Sequence, residues 1–97
     1  MRRQRMNAET WRALTANMRI SNTHHVRDRS RKRGFTSAEV SSVVFHPHVI
    51  EEEFRPMNPG QIRAFRLGRG RYRCWVCFDS NGWIVVKSMV NDRPHYK

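Results

Sequence analysis

A chain of 97 residues is long enough for one small domain and too short for two. With 38% hydrophobic residues it can close one modest core, and no apolar run approaches the roughly 18 residues of a membrane-spanning helix. A formal charge of +11, carried by 16 arginines and 3 lysines, points away from neutral or basic partners and toward an anionic one, nucleic acid above all.

The charge is uneven. Residues 1–35 hold ten basic and two acidic side chains, and residues 36–97 hold nine and six. The first third is therefore the expected electrostatic footprint. Residues 1–6 (MRRQRM) are expected as a basic, disordered arm. The start, MRRQRMNAETWRALTANMR, is basic but lacks the apolar centre of a secretory signal, and two cysteines without such a signal fit a reducing cytoplasm.

Residues 8–18 (AETWRALTANM) predict a first helix, capped by Asn7, with Trp11, Leu14 and Met18 on one apolar face. Arg19-Ile20-Ser21 reads as a short extended piece. A second helix is expected from Asn22 or Thr23 to Gly34. Thr36-Ser37-Ala38-Glu39 is a capping box that opens a third helix over 37–45, with Val40, Val43 and Val44 facing inward and Pro47 ending it.

The apolar period then changes to two. Strands are expected over 49–54, 62–67, 72–79 and 83–90, with a turn at Gly68-Arg69-Gly70 and a hairpin at Ser80-Asn81-Gly82. In the third of these, Tyr72, Cys74, Val76 and Phe78 share one face, and Arg73, Trp75 and Cys77 the other. The predicted architecture is α+β, with N-terminal helices packed on one face of a three- to four-stranded antiparallel sheet. One domain would span 7–90, and 91–97 would form a polar tail. The second sheet face would carry Arg63, Arg73, Trp75, Trp83 and Lys87. Basic and aromatic residues on a sheet face suit RNA or other single strands.

Two motifs read as structural. In Cys74-Trp75-Val76-Cys77 the thiols lie three apart on a strand and point to opposite faces, which suits neither redox chemistry nor zinc. Glu51 and Glu53 share a face that Glu52 opposes, which makes a weak metal site. No cofactor motif is present, and none is implied. His46, His48 and His95 read as structural or incidental, the first two flanking Pro47 at a helix end.

The stretch THHVRDRSRKRG, residues 23–34, concentrates the chemistry. On a helix His25, Arg29 and Arg33 form one stripe at i, i+4 and i+8. Like charges stacked in this way are relieved by an anion, so the stripe can hold a phosphate with an imidazole one turn away. Arg27, Arg31 and Lys32 add phosphate contacts. These are the parts of a metal-independent ribonuclease: a base for the 2′-OH, cations for the phosphate, an acid for the leaving oxygen. They serve equally as the grip of a non-catalytic binding module.

His25-Val26-x-x-Arg29-x-x-x-Arg33-Gly34-Phe35-Thr36, followed by Glu39-Val40 and Pro47-x-Val49-Ile50-Glu51, resembles a small bacterial and phage-borne domain family of unknown function. That family's pattern is His-Ala-x-x-Arg-x-x-x-Arg-Gly-Ile-Thr/Ser. Tyr72-Arg73-Cys74-Trp75-Val76 and Asp79-x-x-Gly82-Trp83-Ile84-Val85-Val86 extend the likeness over roughly residues 19–90. The family is grouped with the fold of barnase-like, colicin-type and RelE-type ribonucleases, many of them toxins.

The resemblance implies functional roles for His25, Arg29 and Arg33, and a place for Ser88 after Lys87 on the last strand. His24 precedes His25, so either ring could be the functional one. Arg63, Arg66, Arg73, Lys87 and Ser88 would contribute RNA contacts from the sheet. A toxin of this type implies an acidic inhibitor or antitoxin over the basic face. Three readings stand side by side: a metal-independent endoribonuclease, a regulator or inhibitor that only binds, and a ribonucleoprotein subunit. An exposed sheet edge would also allow a homodimer.

Overall fold

The computed structural model describes residues 2–21 and 35–91. The expected second helix, with His24, His25, Arg27, Arg29, Arg31, Lys32 and Arg33, lies outside the described residues, as do His95 and the rest of the tail beyond Asn91.

Among the described residues, two helices and six strands of one sheet follow in the order β1 (Arg2–Arg5), α1 (Ala8–Thr15), β2 (Arg19–Ser21), α2 (Ser37–Phe45), β3 (Val49–Phe54), β4 (Gln61–Arg69), β5 (Tyr72–Asp79) and β6 (Trp83–Asn91). The strand order is β1-β3-β4-β5-β6-β2. All neighbours are antiparallel except β2, which runs parallel to β6.

The α+β class expected from the periodicities is present, but the sheet has six strands in place of three or four and is mixed, and the described helices are interleaved with strands β1 and β2 where they were expected to precede the sheet. Two short pieces add its edges. Residues 2–5, expected as a disordered arm, pair with β3 in the register Arg3↔Glu53 and Arg5↔Glu51. The arginines of β1 meet the only acidic run in the chain, so opposite charges across the strands hold an edge that offers no apolar side chain. Ile20 of β2 stands beside Ile84 and joins the core rim.

Both described helices start where their caps predict. Asn7 Oδ1 accepts from Thr10 N at 2.7 Å, and α1 follows. Thr36 Oγ1 accepts from Glu39 N at 3.1 Å while Glu39 Oε1 accepts from Thr36 N at 2.9 Å, which closes the capping box. Glu39 Oε2 also accepts from the Tyr72 hydroxyl, tying the first turn of α2 to the start of β5.

The core lies between these helices and one sheet face. Trp11 is fully buried, with its ring edge-on to Phe65 at 4.9 Å and stacked with Phe78 at 5.7 Å. Its indole N–H donates to Val44 O at 2.8 Å, so one side chain both fills the core and joins α1 to α2. Val40, Val43 and Val44 of α2 meet Ile50, Leu67, Cys74, Val76 and Met89 in the same cluster. Gly70 and Gly82, at φ +59° and +83°, make the two hairpin turns that an L side chain would strain.

Candidate nucleic-acid interface

Strand alternation gives the sheet two unlike faces. Ile50, Phe65, Leu67, Cys74, Val76, Phe78, Ile84 and Val86 face the helices and are buried. Among the described residues, no helix packs on the second face.

The register lays the second face out in rows across the strands. One row runs Arg5, Glu51, Arg66, Trp75, Ser88. The next runs Arg3, Glu53, Ala64, Cys77, Val85, Ser21. On the opposite flank of the Trp75 row lie Val49, Gly68, Arg73 and Val90. Trp83, beside Arg19 of β2, is 39% exposed at the far end.

Trp75 is the centre of this layout. It is half-buried, and the Arg66 guanidinium lies 5.8 Å from its ring centroid. Arg66 also reaches Glu51, at 3.8 Å. Two residues along, Glu53 is buried although charged. Arg3 Nε lies 3.4 Å and Arg55 Nε 3.7 Å from its oxygens. The Glu51–Glu53 run, read above as a weak metal site, thus spends its carboxylates on arginines: Glu51 and Glu53 on this face, Glu52 on the other.

Lys87 enters through a β-bulge. Trp75 pairs with Ser88 while Val76 pairs with Val86, which leaves Lys87 as the additional residue of β6. It is exposed, and its ammonium acts on the Cys77 thiol of the second face. Arg66, Arg73, Lys87 and Ser88 therefore gather around Trp75.

Arg63 does not join them, contrary to the expectation above. It lies on the helix side, with Nε and Nη2 donating to Glu52 at 2.8 and 2.7 Å and its guanidinium 5.1 Å from the Phe65 ring. Its pKa is raised by these hydrogen bonds to Glu52. Counting in twos from Phe65 and Leu67 brings Arg63 to that side. A bulge between Gln61 and Arg63 leaves Ile62, the apolar residue near the strand's start, 59% exposed. An apolar side chain in that position suggests the opposite phase.

The cysteines diverge as the strand requires. Both are free and buried, Cys74 toward the helices and Cys77 toward the second face. Burial pushes the Cys74 thiol up to about 12. Burial also raises Cys77, against the pull of Arg55 and Lys87. Neither is a ready thiolate.

Arg69 supplies the end of α2. Its Nη1 donates to His46 O at 2.8 Å and lies 2.9 Å from His48 Nε2. The cation at the helix C-terminus is thus a guanidinium from β4, where the sequence suggested an imidazole. Sequence reasoning also missed Arg3, Arg5 and Arg55, because their place on this face depends on which strands are neighbours. The turn expected at Gly68-Arg69-Gly70 begins only after Arg69, so Gly68 lies inside β4, where glycine is unfavourable.

The chain matches no protein-family model, no curated protein and no solved structure.

Proposed function

We propose that this protein binds single-stranded RNA across the second sheet face. The observation that carries this reading is Trp75, half-buried at the centre of a face ringed by Arg66, Arg73 and Lys87, with Arg66 against its ring. A base stacks on an indole whatever its identity, and such stacking contributes about 1–3 kcal/mol per base. Arginines beside the ring take the phosphates that follow the stacked base. The overall charge of +11 makes the encounter strong at low salt and weak at high salt.

Cleavage is the second reading. Its support is the His25, Arg29, Arg33 stripe and the resemblance to ribonuclease toxins, both of them sequence arguments. On that reading the sheet face holds the strand while His25 or His24 moves protons, without a metal. An acidic antitoxin would compete for the same face. A cytoplasmic place of action belongs to this proposal as well. Among the described residues, no helix is long and apolar enough to cross a membrane.

The test is fluorescently labelled single-stranded RNA in EDTA with the wild type, Trp75→Ala and His25→Ala. Binding that Trp75→Ala weakens at least tenfold supports the face, and cleavage that His25→Ala alone abolishes supports the nuclease. RNA binding untouched by Trp75→Ala would overturn the proposed face. Absence of binding at low salt would overturn the RNA reading.

A further inference from the structure

Gly68 occupies an interior position of β4 that nothing in the backbone demands. Its φ is not positive, unlike that of Gly60, Gly70 and Gly82. A Cβ built there would meet Val49 Cβ at 3.6 Å and Tyr72 O at 3.9 Å, ordinary van der Waals contact. Neither conformation nor crowding excludes a side chain, and glycine in a strand costs stability. What its missing side chain does provide is space. A groove of about 360 Å3 lies over it, with Val49 and Gly68 on its floor and Glu51, Arg66, Arg73 and His48 among its walls. That volume falls within the range of small-molecule sites, about 300–1,000 Å3.

The groove lies one register row from Trp75, since Gly68 pairs with Arg73 and Arg66 pairs with Trp75. A strand stacked on Trp75 therefore brings its neighbouring nucleotide to Gly68. The polar groups there are selective. Glu51 is a carboxylate that accepts only, and Arg66 Nη1 lies 3.8 Å from one of its two oxygens. Arg66 stands beside it as a donor. An acceptor next to a donor complements a base edge that places an amino group beside an acceptor nitrogen.

We infer that this groove seats one nucleobase bearing an exocyclic amino group, with Gly68 as the floor and Glu51 as the acceptor of the amino N–H. Cytosine and adenine present an amino group beside a ring nitrogen acceptor. Held in cytosine's orientation, uracil turns its O4 carbonyl to Glu51 and its N3–H to Arg66, acceptor against acceptor and donor against donor. The inference rests on the RNA-binding reading and adds base preference to it.

Cytosine and uracil have nearly the same shape, so the octamers rC8 and rU8 isolate the edge chemistry. Fluorescence anisotropy at fixed salt should give the wild type an affinity for rC8 about tenfold above that for rU8. Glu51→Gln should bring the ratio close to one. Gly68→Leu, which fills the groove, should do the same and weaken rC8 more than rU8. Trp75→Ala should weaken both octamers and leave the ratio in place. Gly68→Ala, whose added methyl the strand accommodates, controls for backbone effects and should keep a reduced preference. Equal binding of the two octamers by the wild type overturns the groove and leaves the RNA reading standing, as does a ratio that Glu51→Gln and Gly68→Leu do not change. Failure of the wild type to bind either octamer removes the RNA reading and the groove together.

Discussion

The two faces of the sheet are built by opposite means. On the helix side Trp11, Phe65, Phe78 and a set of valines exclude water by packing against one another. On the other side Ala64, Cys77 and Glu53 are just as buried, but beside arginines. Arg55 Nη2 lies 3.9 Å from Cys77 Sγ, and Arg3 and Arg55 flank Glu53. Long basic side chains cover apolar surface with their stems and leave their charge at the top. Burial on the first face therefore serves stability, and burial on the second presents cations on a flat base. The same sheet can be a core wall and a binding plane because its period of two keeps the two sets of side chains apart.

The sharpest way to break this comparison is a pair of tryptophan deletions. Trp11→Ala should cost about 3–5 kcal/mol, enough to unfold a domain of marginal stability. Trp75→Ala should cost much less in urea denaturation while losing RNA affinity at least tenfold. A similar stability loss in both variants would mean that the second face is a second core.

The Tyr72–Glu39 contact gives the next effect. The hydrogen bond from Tyr72, followed by those from Thr36, holds the Glu39 carboxyl below its ordinary value of 4.5. A carboxyl with a depressed folded pKa adds stability that is fully present above pH 4.5 and is lost as the pH falls through the folded value. Tyr72→Phe should lower the melting temperature at pH 7 and narrow the difference from wild type as the pH drops below 4.5. An equal deficit at every pH would assign the Tyr72 contribution to packing alone.

Gly68→Ala should raise stability by about 0.5–1 kcal/mol, because the strand loses a flexible residue without a clash. Lower thermal stability would show that the floor of the groove has a structural role. The smallest change is expected from Arg3→Ala. Its side chain is 43% exposed, so its pairing with Glu53 should contribute less than about 1 kcal/mol and fade with added salt. A larger, salt-independent loss in chemical denaturation would place β1 among the elements the fold depends on.

What was legible in the sequence was local. Asn7 and the Thr36–Glu39 capping box set both described helix starts, and the alternation Tyr72, Cys74, Val76, Phe78 against Arg73, Trp75, Cys77 separated the faces of β5 correctly. Each of these depends on neighbours within a few residues, where backbone geometry fixes the outcome. The divergence of the two thiols follows from the same period.

What only the tertiary structure decided was long-range. Arg2–Arg5 became a strand because Glu51–Glu53 lay across from it, about fifty positions away. Ile62, beside the helix-side Arg63, was left exposed because a bulge breaks the register between Gln61 and Arg63. The second face acquired its centre because β4 put Arg66 opposite Trp75 and β3 put Glu51 opposite Arg66. Periodicity tells which residues of one strand share a face. Which strands lie side by side, and with what offset, is set by the pairing and packing of the whole sheet, and no single segment carries that information.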